Sequence, residues 1–317
     1  MVPWKAAWST ALYGPHGFYR GDTGPAGHFT TSSHGPLGAV LAEALGVLAD
    51  REGATHVVDV GCARGELLVH LHSARPDLRL TGVDVVERPS GLPGAISWLS
   101  APGGATLPDA LVDLEDALVV AHEWLDVVPC TIAEVVGPGR LALVLVDPVT
   151  GVETPAAEGP ADEDLAWCAR HWPVEDRAVG SRVEVGLARD RAWADLASRV
   201  RRGTMLAVDY GHTRDARPAG GTLTAYRAGR IVDAVPDGSC DLTAHVAVDS
   251  LEHDELTTQR DALRSLGIDT RPPAPDLASS DPSAYLAGLV RSSAAAALTE
   301  EHGLGRFRWV YRRIDAA

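Results

Sequence analysis

Val57-Val58-Asp59-Val60-Gly61-Cys62-Ala63-Arg64-Gly65-Glu66 is the stretch on which the fold turns. A short β-branched run from His56 to Val60 contains an acid, meets a glycine, and gives way to residues 65–73 with apolar positions at helical spacing. Pro76 introduces a second run, residues 78–83, that ends in Asp84. Strand, glycine turn, helix and strand in that order make a parallel βαβ unit. Further short apolar runs at 118–121 and 205–208 predict more buried strands, each ending in acidic or polar residues. In an open α/β sheet the ligand crevice lies at the carboxyl ends of the strands, so this polar edge is where function belongs.

Around that unit the pattern adds helices at 37–48, 165–171, 189–201, 256–266 and 282–298, and a closing strand at 306–311. Residues 131–136 and 141–146 flank Gly137-Pro138-Gly139-Arg140 as a β-hairpin, with a second hairpin-like region at 222–233. The fold class expected is α/β, a Rossmann-like class I sheet with helices on both faces plus inserted hairpin and helical additions. Residues 1–50 form a loop and helix covering the site, 51–130 with 203–317 the core, and 131–202 an insertion. Residues 1–35, rich in Gly, Pro, Ser, Thr and aromatics, predict an ordered loop, with Lys5 near a mobile end.

Composition removes several functions. The net charge of −15 disfavours nucleic acid, whose binding depends on neutralising phosphates. It suits a cationic substrate. Lys5 is the only lysine, so neither a pyridoxal Schiff base nor a P-loop has its internal lysine. Cys62, Cys130, Cys168 and Cys240 lack metal-site or disulfide-framework spacing, and no metal is expected. With no long apolar run and no leader-like start, the expectation is a cytoplasmic protein without membrane insertion.

Two constellations carry the chemistry. In the first, glycines at the strand-to-helix turn let backbone approach a ligand closely, and Asp84 stands one βα unit on, where an acid reaches ribose hydroxyls. A dinucleotide turn needs a middle glycine for the pyrophosphate; here that position is Ala63, and Asp59 is placed for a cation. S-adenosylmethionine, with its ammonium and sulfonium, fits better than NAD. The second is His122-Glu123-Trp124-Leu125-Asp126-Val127-Val128-Pro129, which sets two carboxylates and an imidazole just past a buried strand. Glu123 and Asp126 share a face if the segment turns helical, and paired carboxylates can hold a guanidinium. Acids complementing a helix dipole would account for the same pair.

The order of segments resembles the MidA-like family of methyltransferases, which includes a mitochondrial complex I assembly factor that methylates an arginine. Ala63-Arg64-Gly65 stands at the family's glycine-arginine-glycine turn, and His122 to Pro129 at its H/N-E-F-x-D-x-L-P stretch. Asp209-Tyr210-Gly211, Gly221 to Arg227 and Asp241 to Val246 match its later motifs, and Gly27-His28-Phe29-Thr30-Thr31-Ser32 approximates its N-terminal loop. The chain departs from the family at Ala63, His28 and Ser33-His34; Ala63 is tolerated in this turn if its φ stays negative. The resemblance implies S-adenosylmethionine as donor and a protein acceptor such as a respiratory-complex subunit, with a homodimer allowed. Together these readings put Asp59, Gly61, Cys62, Gly65, Asp84, Val85 and His122 at the donor and make Glu123 and Asp126 catalytic. Thr31, Ser32, His34 and Tyr210 are set against the acceptor. A non-catalytic assembly factor, or a methyltransferase acting on a small-molecule oxygen or nitrogen, stays open.

Overall fold

The computed structural model describes residues 1–21 and 32–315. Its centre is a seven-stranded sheet of β1 (His56–Val60), β2 (Arg79–Asp84), β3 (Ile96–Ser100), β4 (Ala117–His122), β5 (Gly203–Asp209), β6 (Glu255–Thr258) and β7 (Arg308–Ile314). The spatial order is β3-β2-β1-β4-β5-β7-β6. Neighbours from β3 to β5 are parallel, and β7 runs antiparallel to both β5 and β6. The chain moves outward from β1 through β2 to β3, then resumes on the other side at β4. The switch point therefore lies between β1 and β4, and their carboxyl ends open the crevice.

Alternation along the strands explains why helices cover both faces. Val57, Leu118, Val120, Leu206 and Val208 face one layer, packed by the helices Gly35–Arg51, Glu66–Ala74, Gln259–Ser265 and Pro282–Leu298. Val58, Val60, Val119, Met205 and Ala207 face the other, where Ala192, Trp193 and Leu196 of the helix Leu187–Ser198 lie. That helix, grouped by sequence with the insertion, packs on the main sheet.

The remaining strands build a second sheet, a three-stranded ribbon and a short parallel pair of Gly211–His212 with Val246–Ala247. The hairpin Thr131–Gly137 and Arg140–Val146 forms as expected, turning at Gly139 with φ of 64°, and is joined by Val2–Pro3, Glu153–Pro155 and Arg182–Val185. Thr224–Arg227, Arg230–Val232 and Asp241–Thr243 make the ribbon.

Two expectations are corrected. The first residues are not loop: Trp4–Tyr13 is an α-helix. Trp4, Ala7, Trp8, Ala11 and Leu12 fall at helical spacing and are buried, a stripe hidden by the Gly- and Pro-rich sequence that follows. Lys5 thus sits in a packed helix, and Trp8 Nε1 donates to the Leu242 carbonyl at 3.1 Å. The segment 256–266 is also not all helix, because Glu255–Thr258 pairs with β7 before Gln259–Ser265 turns helical. Thr258 caps that helix, accepting from the Asp261 N–H, and marks the change of period.

Arg189 ties these layers together. Its side chain is 1% exposed, and its guanidinium donates to the carbonyls of Val128, His245 and Asp126 at 3.2, 2.8 and 2.8 Å. It also lies 5.8 Å from the Trp8 ring centroid. One cation thereby fixes the turn after β4, the strand region beyond residue 241 and the N-terminal helix. Arg189→Met leaves those carbonyls unpaired in a dry interior, and a loss of about 3 kcal/mol or more in urea unfolding is expected.

Candidate functional site

The crevice is a cavity of about 1120 Å³ including its mouth. Its floor is the turn after β1. Gly61 has φ of 74°, and its N–H donates to the Val83 carbonyl at 2.8 Å; a Cβ there would stand 3.1 Å from Trp124. Ala63 has φ of 51°, so the condition of a negative φ is not met. The cause is Asp84: its Oδ2 accepts the Ala63 N–H at 2.8 Å, and its Oδ1 accepts the Val86 N–H at 3.1 Å. The second strand thus pulls the first turn into the left-handed region, where a Cβ is tolerated at a cost of roughly 1–2 kcal/mol. Burial raises the Asp84 carboxyl to about 6 despite these donors.

The roof is the turn after β4. Glu123 is left-handed as well, with φ of 52°, its N–H held by the Val208 carbonyl at 2.8 Å. That sharp turn aims Glu123 and Asp126 into the cavity instead of along the sheet. Ser32 Oγ lies 3.2 Å from Glu123 Oε1 and 2.8 Å from His122 Nε2. Burial brings His122 down to about 4, so the imidazole is neutral and its 3.6 Å approach to Glu123 is no ion pair at neutral pH. Burial, and then the charge of Asp126, lifts Glu123 to about 8. Thr243 Oγ1 donates to Asp126 Oδ2 at 2.7 Å. Across the mouth, Tyr19 donates to Asp241 Oδ1 at 2.6 Å, and burial raises that carboxyl to about 7.

Asp59, Gly61, Cys62, Asp84, Val85, His122, Glu123 and Asp126 line this one cavity. Gly65 does not; it caps the helix Glu66–Ala74 with φ of 81°, against Leu92. Ser32 stands behind the lining as the support of Glu123. His34 faces Glu66 at 3.5 Å, outside the lining. Tyr210, set against the acceptor by sequence, is outside too: it stacks on His245 at 5.7 Å and packs against Phe307 at 4.0 Å. Thr31 and His28 fall outside the described residues. Sequence reasoning missed Asp241 and Asp209 as members of the acidic cluster, and the wall formed by Tyr13 and Tyr19. Asp209 ends β5 as Asp84 ends β2, a strand-end acid that could have been read the same way.

Among the described residues, five carboxyl side chains, Asp59, Asp84, Glu123, Asp126 and Asp241, line the cavity against one guanidinium, that of Arg64. Burial, followed by Asp84, also raises the Asp59 carboxyl. A cavity of this charge balance fits a cationic ligand, since a cation neutralises carboxylates that burial otherwise disfavours. The glycine at 61 is required by the packing of the floor against the roof, because a side chain there would meet Trp124. Gly61→Ala places that side chain at a left-handed position, and a loss of about 1–2 kcal/mol in thermal or urea unfolding is expected.

Comparison with known proteins agrees with this geometry. The fold matches a crystal structure from Burkholderia thailandensis bound to S-adenosyl-homocysteine, with a TM-score of 0.73 and 24% identity over 100% of this chain and 89% of that one. A native structure from the same organism matches with TM-score 0.73 and 24% identity, over 98% and 87% of the two chains. No curated protein matches the chain. The family described as "Putative S-adenosyl-L-methionine-dependent methyltransferase" matches residues 48–268, which take in the turn after β1, Asp84, Glu123, Asp126 and Asp241. The chain belongs to this family of S-adenosyl-L-methionine-dependent methyltransferases.

Proposed function

We propose that the protein transfers a methyl group from S-adenosylmethionine to a guanidinium nitrogen of a protein arginine. The donor is held between the turn Gly61 to Gly65 and Asp84, and the acceptor reaches Glu123 and Asp126. The observation that carries this reading is the pair of carboxyls past β4, Asp126 buried and Glu123 half-buried in the cavity wall, where the one guanidinium or ammonium lining the cavity among the described residues is that of Arg64 on the opposite floor. The S-adenosyl-homocysteine in the Burkholderia thailandensis structure supports the choice of donor. The resemblance to the MidA-like family supports the choice of acceptor.

The donor supplies an activated methyl on a sulfonium, and the chain's own task is alignment and exclusion of water. Asp84 is placed to take ribose hydroxyls, and Asp59 lends negative charge beneath the cationic end. Glu123 and Asp126, three residues apart on a turn held by Val208 and Arg189, present oxygens that can grip two guanidinium nitrogens. A guanidinium must lose a proton as it gains a methyl. A carboxyl that burial has raised to about 8 is matched to take that proton near neutral pH. Because the ionised form of Glu123 grips the cation, kcat/KM for the acceptor should climb as pH rises to about 8 and then level.

Incubation with methyl-labelled donor and cell extract separates the readings. A labelled protein band supports arginine methylation, label in the small-molecule fraction indicates a metabolite acceptor, and no label indicates a partner-binding role. Glu123→Gln keeps the shape of the roof and removes its charge. Loss of transfer by at least about 100-fold with nearly unchanged donor affinity is expected, since general-base groups contribute on that order. Loss of donor affinity instead would move Glu123 to the donor half of the cavity.

A further inference from the structure

Two buried oxygens beside the site, Asp126 Oδ1 and Asp209 Oδ1, have no hydrogen-bond donor. Their sister oxygens do: Asp126 Oδ2 accepts from Thr243 Oγ1 at 2.7 Å, and Asp209 Oδ2 accepts the Leu125 N–H at 3.0 Å. The two carboxyls are within hydrogen-bonding reach of each other. At 4% and 1% exposure, two ionised carboxylates in contact would repel with no water to screen them. One proton between the two Oδ1 atoms removes the repulsion and satisfies both oxygens.

The surroundings decide which residue holds that proton. Asp126 has the Thr243 hydroxyl and the nearby Arg189 guanidinium, which also donates to its backbone carbonyl. Asp209 has one backbone N–H and faces Glu123 as well as Asp126. Glu123 faces both carboxyls and Asp241 faces Asp126, so the difference is made by the cation and the hydroxyl, which favour charge on Asp126 and which Asp209 lacks. The other ionisable groups facing the pair among the described residues are Asp241, Tyr13, Tyr19, Tyr210 and Tyr226, and burial raises all of them toward the neutral form.

The geometry points to Asp209 as a positioning residue whose carboxyl keeps a proton and donates it to Asp126 Oδ1, so that the pair shows the cavity a single negative charge, on Asp126. Asp126 lines the cavity and Asp209 does not, so Asp209 acts on the ligand only through its neighbour. It aims one Asp126 oxygen and keeps a second charge out of the roof. The dyad does not depend on the proposed function; its service to a guanidinium acceptor rests on that reading.

Asp209→Asn tests the proton directly, because the amide keeps an acceptor for the Leu125 N–H and offers Asp126 a permanent N–H donor. A buried carboxyl whose native affinity for the proton exceeds its unfolded one stabilises fully below about pH 4, and that stability is lost as pH rises toward the native value. The amide has no such dependence. Wild type and Asp209→Asn should therefore melt at similar temperatures at about pH 5, with the variant higher by on the order of 3 °C or more at about pH 9. Asp209→Ala, which leaves Asp126 Oδ1 without a donor, should melt below both at each pH. Melting curves of wild type and Asp209→Asn that keep a constant offset across this range would overturn the shared proton. The location of the charge is read with an arginine-containing peptide: Asp126→Asn should weaken its binding at least tenfold more than Asp209→Asn, and the reverse order would place the charge on Asp209. If wild type fails to bind the peptide, the arginine reading falls, while the melting comparison still decides the dyad.

Discussion

The buried guanidinium of Arg189 is the constraint on which the site depends. It does not line the cavity, and it binds the carbonyls of Asp126 and Val128 together with that of His245. Without a donor of that reach, the segment after β4 would have to satisfy its carbonyls within itself, as a regular helix does, and Glu123 and Asp126 would lie along the sheet edge. Its positive charge also stands nearest Asp126 in a region otherwise crowded with acids. The same cation sits over Trp8, so the N-terminal helix is positioned by the group that positions the roof.

The cavity runs against the usual economy of folding. Asp59, Asp126, Asp209 and Asp241 are buried and Asp84 and Glu123 half-buried, and burial is the largest influence raising each of them. Two turn residues other than glycine, Ala63 and Glu123, occupy left-handed backbone at the same edge. Desolvated acids and strained turns collect where ligands bind, because a bound cation offsets the cost of burying them. A structure built for stability alone would fill this space with apolar side chains.

Most of the fold was legible because periodicity is local. The runs at 56–60 and 205–208, the 131–146 hairpin and the helix at 282–298 announce themselves within a few residues. The N-terminal helix was hidden by its neighbours' composition, although its tryptophans and alanines hold helical spacing. β3 was missed because Ile96–Ser100 alternates weakly and only Ile96 is fully buried. In the site, the turn after β1 and the two acids after β4 could be read from residue type and position. The links that make them a site could not. Asp84 bending the loop at Ala63, Ser32 supporting Glu123, and Arg189 reaching three carbonyls are contacts between segments far apart in sequence. Tyr210 shows the converse: it follows the fifth strand, but its ring turns outward onto His245.

The central claim is that this acidic cavity binds a cationic methyl donor through ionised carboxylates, and calorimetric titration with S-adenosylmethionine at about pH 8 and about pH 5.5 tests it most directly. Asp84 titrates near 6 in the free protein, so donor binding at the lower pH must first expel its proton. Binding in the micromolar range or tighter is expected at the higher pH, weakening by up to about tenfold per pH unit below the Asp84 value. Absence of binding at both values, or tighter binding in acid, would contradict it.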